Sequence, residues 1–224
     1  MTALFAYPPN AAFGRVLPKS KIYERAQPTA KVKELFVRQV EQIVWQYKLA
    51  PETINVEGTL AAPEIQVFSI TLKNDELKLD VLHCIDQAIP FPLIFELHHA
   101  GNVNPIATYK RPNEADATKW VVSQYFSPGW MPEDAQRQPL PVVFDLEALY
   151  AQLLAPLLPY PPRHGETLQE QVDRMEQIGQ LQRELERCET RLAKEKQFNR
   201  KVAINAELRK LRIRLEWLIA INQL

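Results

Sequence analysis

Glycine is scarce in this chain, with six in 224 residues, and cysteine scarcer, with two. Six glycines leave little material for a glycine-rich phosphate loop, and neither Gly-x-Ser-x-Gly nor His-Glu-x-x-His occurs. Cys84 and Cys188 stand far apart, so paired zinc-ligand spacing is missing. Two isolated cysteines fit a reducing compartment, where they serve as small apolar fillers. Formal net charge is zero, so the chain as a whole is no electrostatic binder of nucleic acid or membrane. No apolar run reaches the roughly 20 residues that cross a bilayer. The most apolar stretch, residues 146–158, is interrupted by Glu147, Gln152 and Pro156. Residues 1–18 lack a basic segment followed by an apolar one, so no signal peptide is expected, and the expected location is the cytoplasm.

What remains is ordinary globular material, 46% hydrophobic and 24% charged, enough for one domain and an appendage. Residues 1–27 show no clear period and read as an arm, with a helical turn near Ile22 to Arg25. From the Thr29 cap, Leu35, Phe36, Val40, Ile43, Val44 and Tyr47 recur at helical spacing, which predicts a helix ending near Leu49, before Pro51. Residues 53–56 read as a short strand. Residues 64–73, EIQVFSITLK, alternate best and form the clearest strand. Asn74 and Asp75 make a turn into a helix over 76–88, with Leu77, Val81, Leu82 and Ile85 inward. Residues 91–97 are continuously apolar, the pattern of a central strand covered on both faces. After a turn at Gly101 and Asn102, residues 106–109 and 120–126 read as antiparallel neighbours. Residues 127–141 are loop, 146–158 helix, and Pro159 to Pro162 a stiff linker. The predicted fold class is α/β of the α+β kind: a mixed sheet flanked by helices over residues 28–162, then a C-terminal coiled-coil segment over 163–224.

That segment has two heptad seams, Ile178, Leu181, Leu185, Cys188 and Leu192, then Ile204, Leu208, Leu211, Leu215 and Leu218. They fall out of register around residues 195–201, the sign of a stutter or of a hairpin turn, and Asn199 favours the hairpin. Its charge is uneven. From Arg191 to Arg214 only Glu195 and Glu207 oppose nine basic residues, among them Arg200, Lys201, Arg209, Lys210, Arg212 and Arg214. One reading is that acidic and basic helices zip together, within the chain or with a second copy. The other is contact with nucleic-acid phosphate through those six residues. Leu181, Leu185, Leu192, Leu208, Leu211 and Leu215 are the candidate partner-binding residues, together with Trp130, which stands beside Met131 in a proline-rich loop.

Other constellations are thinner. His98 and His99 are adjacent, so a strand would aim them at opposite faces, and no metal site is expected. Glu64 and Gln66 share one face of the best strand. With Glu57 before them and Glu41 on the preceding helix, they resemble the Mg²⁺-holding carboxylates of restriction-endonuclease-like nucleases. The usual Pro-Asp pair is missing and Gln replaces Lys. The plain alternative is a set of polar residues at a strand edge.

Several ordered segments resemble one bacterial family, known as a domain of unknown function. They are residues 17–24 (LPKSKIYE), 39–49 (QVEQIVWQYKL) with 51–53 (PET), 64–68 (EIQVF), 89–92 (IPFP) leading into Ile94 and Phe95, and 195–202 (EKQFNRKV) with Asn205. The resemblance implies a context: members lie beside genes for restriction-type helicases and DNA methyltransferases, in restriction or phage-defence cassettes. It carries over no activity and no catalytic residue.

The reading leans away from an enzyme, and no cofactor is expected. The expected function is that of a non-catalytic accessory or adaptor subunit of a defence system, binding a helicase or methyltransferase and, through its basic helix, DNA. Two alternatives stay open: a diverged Mg²⁺-dependent nuclease using Glu57, Glu64 and Gln66, and a structural homo-oligomer joined by its C-terminal helices.

Overall fold

A computed structural model describes residues 3–113, 115, 116 and 119–220. The chain divides into two compact units, Met1–Leu158 and Pro159–Leu224. In the first, the elements run β1 (Phe5–Ala6), β2 (Ala12–Val16), α1 (Lys19–Ala26), α2 (Ala30–Gln39), β3 (Val40–Leu49), α3 (Pro51–Ile54), β4 (Ile65–Leu72), α4 (Leu79–Ala88), β5 (Leu93–His99), β6 (Asn102–Pro112), β7 (Trp120–Phe126), β8 (Met131–Pro132), β9 (Gln138–Pro139) and α5 (Leu146–Leu154). The main sheet has the order β2-β3-β4-β5-β6-β7, with β8 beside β6. Within this sheet only β4 and β5 pair in parallel, joined by the α4 crossover, and the other pairs are antiparallel; β1 and β9 form a separate parallel pair. The mixed sheet with flanking helices is the α+β class that the pattern predicts.

Three local expectations give way to tertiary structure. The single helix expected from Thr29 to Leu49 is α2 followed directly by β3. Thr29 does cap α2, its hydroxyl accepting from Val32 N at 3.4 Å. Beyond Gln39 the chain is extended, because β-branched and aromatic residues pair with β4 from Val40 to Leu49. Bulges in β3 between Val40 and Gln42 and between Trp45 and Tyr47 explain the false helical period. The extra residue at the first bulge returns Val40 and Ile43, three apart, to the same core. Residues 53–56 are not a strand: Pro51 starts the short α3, which Asn55 closes in a left-handed conformation. The expected arm over residues 1–27 is, in its described part from residue 3, no loose arm either. Within them β2 forms the edge of the sheet against β3, and Ile22 of α1 is buried in the core.

One face of the sheet carries Phe68, Ile70 and Leu72 of β4 and Leu93, Phe95 and Leu97 of β5. They pack with Ile22, Phe36, Val81, Leu82 and Ile85 from α1, α2 and α4. This is the main core, and it positions α1 and the end of α4 over the start of β4. On α5, Leu146, Leu149, Tyr150 and Leu153 are buried, and the Tyr150 hydroxyl donates to Thr108 O at 2.5 Å. The β5–β6 hairpin turns through Ala100 and Gly101, at φ of 48° and 75°. Glycine adopts that conformation without strain, and alanine does not.

The second unit is a helical hairpin of α6 (Leu168–Lys194) and α7 (Phe198–Ile219). The break in heptad phase is the turn between them, at Glu195 to Gln197. Thr167 and Glu170 form a reciprocal capping box that starts α6. No helix among the described residues is long and apolar enough to cross a membrane.

Candidate functional site

The basic residues picked out in the sequence all lie exposed on α7. Arg212 pairs with Glu189 of α6 at 2.8 Å, and Arg200 reaches Glu195 at 4.0 Å. Arg191 of α6 bridges to Glu207 of α7 at 3.0 Å. Lys201, Arg209, Lys210 and Arg214 have no ion-pair partner among the described residues.

The leucines behave differently from the expectation that they bind a partner. Leu185, Cys188, Ile204 and Leu208 form the buried seam between α6 and α7, and Leu192, Leu211 and Leu215 pack against it. Leu181 is also buried. The heptad pattern is thus spent inside the hairpin, because an antiparallel return brings the two seams face to face.

A second apolar line on α7 escapes the heptad reading. Phe198, Val202, Ile213 and Trp217 are 77%, 53%, 58% and 61% exposed. The i, i+4 steps 198 to 202 and 213 to 217 place them on the side of α7 opposite the seam. Arg209 falls on the same line, with Lys210 and Arg214 on one flank and Lys201 and Arg212 on the other. The spacing was the available signal, hidden because α7 is apolar on two sides. Trp217 is held at its end of the helix: the Arg163 guanidinium lies 5.2 Å over its ring and donates to Trp217 O and Leu218 O at 2.7 and 3.0 Å. Arg174 donates to Leu218 O at 3.3 Å and ion-pairs with Glu166 at 2.7 Å, so two guanidiniums satisfy the carbonyls ending α7. Arg174 holds the Glu166 carboxyl below its ordinary range.

Glu64 and Gln66 meet in a cleft of about 400 Å³ between α1, β3, the start of β4 and residues 88–91. Gln66 is buried and its Nε2 donates to Glu64 Oε1. Glu64 Oε2 lies 3.3 Å from Lys48 Nζ. Glu57 does not join them. It is exposed, bridges to Asp145 through its backbone and lines no part of the cleft. Glu41 lines a separate depression at the other end of β3. No cluster of three or more His, Cys, Asp or Glu able to hold a metal ion occurs among the described residues. The arrangement proposed for nuclease chemistry is therefore not assembled, since Glu41 on β3 and Glu57 between α3 and β4 both lie away from Glu64 and Gln66.

Buried charge is the part that sequence reading missed. Lys110 of β6 and Asp86 of α4 are closed to solvent, with Nζ 3.3 Å from Oδ1 and donating at 2.6 and 2.5 Å to the carbonyls of Asp86 and Ile89. The Tyr125 hydroxyl donates to Asp86 Oδ2, and the His83 ring meets the Tyr125 ring edge-on. Burial pushes the Asp86 carboxyl up, opposed by the Lys110 ammonium, and pushes the Tyr125 hydroxyl up as well. Away from this pair, Glu96 of β5 receives both terminal nitrogens of Arg137 at 2.8 Å, and Arg137 also donates to Phe5 O at 3.0 Å. That fork ties residues 5 and 137 to the centre of the sheet. His98 Nδ1 lies 3.1 Å from Glu133, whereas His99 Nδ1 lies 3.4 Å from Leu72 O, so the two rings have separate partners. Trp130 is 40% exposed.

No curated protein and no solved structure matches the chain. The model of one family, a domain of unknown function (DUF4391), matches residues 5–215. With nearly its whole length covered by that match, the chain belongs to the DUF4391 family.

Proposed function

We propose that this chain is a non-catalytic adaptor subunit of a bacterial restriction or phage-defence system, which docks a helicase or DNA methyltransferase through α7 and contacts DNA with the basic flanks of that helix. The observation that supports it is the second apolar line of α7. Phe198, Val202, Ile213 and Trp217 form an ordered stripe on a helix whose other side is already packed. Apolar stripes rimmed by charge are a usual form of protein docking surface. Lys201, Arg209, Lys210 and Arg214 beside it, without ion-pair partners among the described residues, suit an acidic partner or phosphate. Self-pairing of α7 would bring these like charges together, which disfavours the homo-oligomer reading.

The test is recovery of partners from the native host by the tagged full-length chain. A helicase or methyltransferase should be recovered by the natural sequence and lost with Phe198→Ser/Trp217→Ser, at unchanged far-UV circular dichroism. Recovery of the same partner by the double variant, or of the chain alone, would sink the adaptor reading. DNA contact is tested separately. Binding should weaken steeply with salt and disappear when Lys201, Arg209, Lys210 and Arg214 are changed to Glu. Salt-independent binding, or binding that survives reversal, contradicts it.

A further inference from the structure

The outer apolar line of α7 is interrupted midway by a guanidinium. Phe198 and Val202 form one exposed apolar pair, and Ile213 and Trp217 another. Arg209 stands exposed between them, seven residues after Val202 and four before Ile213, which keeps it on the same side of the helix. From Phe198 to Trp217 the line runs about 28 Å, at about 1.5 Å per residue. It borders a groove of about 740 Å³ between α6 and α7, lined by Leu192 and Leu208 as well as by Arg209, Arg212 and Ile213.

The charge along this line is one-sided. The acidic residues of α7 are Glu207 and Glu216. Arg191 of α6 takes Glu207 at 3.0 Å, and Glu189 of α6 takes Arg212 at 2.8 Å. That leaves Glu216 against Lys201, Arg209, Lys210 and Arg214, four cations without ion-pair partners among the described residues. On its inner side α7 already holds a helix, through an apolar seam with Arg–Glu pairs across the flanks. The outer side offers the apolar residues and the cations, and lacks the acids.

Phosphate would satisfy the cations and leave Ile213 and Trp217 in water. A strand laid along α7 would meet side chains only, and its backbone groups would go unpaired. A helix pairs its own backbone, and can bring apolar residues and carboxylates to the line together.

We propose that the occupant of this face is an acidic amphipathic helix of the protein partner, about five turns long, which lies along the outer line of α7 and sets a carboxylate on Arg209 between two apolar contacts. The proposal rests on the adaptor reading and adds the form and charge of what docks. The apolar contacts supply affinity. The one ion pair among them fixes register, as a single polar residue does in a coiled-coil seam.

Fluorescence anisotropy of labelled peptides with the full-length chain tests this. The probe is a helical peptide of Ala, Leu, Glu and Lys with two leucine pairs spaced as on α7. One version carries Glu between the pairs and the other Lys, with equal net negative charge. The Glu version should bind roughly tenfold tighter. Arg209→Glu should reverse that order, whereas Arg214→Glu, the same change on the flank, should keep it. Phe198→Ser/Trp217→Ser should abolish binding of both. All four residues are exposed, and far-UV circular dichroism checks that each variant folds. No binding of the Glu version at about 0.1 mM chain, equal affinity for the two versions, or an order that Arg209→Glu leaves unchanged would each overturn the proposal. Loss of DNA binding in Arg209→Glu, with neither peptide bound, would assign that residue to phosphate instead. Failure of the peptides with partner capture intact removes the helix and leaves the adaptor reading. Failure of capture with the peptide order intact removes the adaptor reading and keeps the helix site.

Discussion

The α/β unit and the helical hairpin handle the same two materials, charge and apolar surface, in opposite ways. The α/β unit takes Lys110, Asp86 and Glu96 inside and gives each a partner. Its apolar residues fill a core that runs from α1 to β6. Of the large apolar residues it leaves exposed, Leu60, Val142 and Phe144 lie on loops, and Val16, Val37 and Leu79 stand singly on β2, α2 and α4, so they form no helical line. The hairpin closes on a narrow seam, keeps most of its charge on the surface and leaves α7 apolar on a second side. Surface left over in one ordered stripe is what a partner can cover. The adaptor proposal rests on that difference: it assigns recognition to the hairpin and rigidity to the sheet.

Breaking the Lys110–Asp86 pair should give the largest effect. Lys110→Met strands a buried carboxylate, and we expect a loss of about 3–5 kcal/mol in denaturant unfolding, most of it regained when Asp86→Leu is added. A loss below about 1 kcal/mol would mean that the α/β unit does not depend on its internal charge. In the hairpin, Arg174→Met removes the partner of Glu166 and one donor to the end of α7. We expect about 2–3 kcal/mol, read from the Trp217 emission of that unit.

The same pair gives the hairpin an acid sensitivity. Because Arg174 holds the Glu166 carboxyl below its ordinary value, the stability it contributes is complete above about pH 5 and is lost as pH falls through the depressed value. Melts from pH 7 to pH 3 should show this decline in the natural chain and a shallower one in Arg174→Met. A smaller, opposite effect is expected at the β5–β6 turn. Ala100→Gly relieves a left-handed alanine and should raise stability by about 0.5–1 kcal/mol. Least of all, Phe198→Ser/Trp217→Ser should change hairpin stability by about 0.5 kcal/mol or less, since both side chains are exposed. A large loss there would show that the stripe is structural and remove the contrast between the units.

Much of the fold was legible from local pattern. The alternation of residues 65–72, the apolar run at β5, the Thr29 cap and the heptad seams each announce an element that exists. The extended course of residues 40–49 was not legible. Its two bulges reset the side-chain alternation, so a strand carries core residues three apart. The candidate site was legible in fragments. Glu64 and Gln66 share a face, as strand period two requires, but the aromatic wall that makes a cleft of them comes from β3 and from residue 91. The basic residues of α7 were visible as charge. The stripe beside them was masked by the seam on the other side of the helix.

By itself the sequence determined where helices begin, which segments alternate and where two seams fall out of phase, because caps, period and heptads act within a few residues. Only the tertiary structure decided that the leucine seams close on each other and that Lys110 finds Asp86. It alone decided that Glu57 stays apart from Glu64. Those outcomes depend on strand register and on the antiparallel return of α7, which bring together residues that no local rule relates.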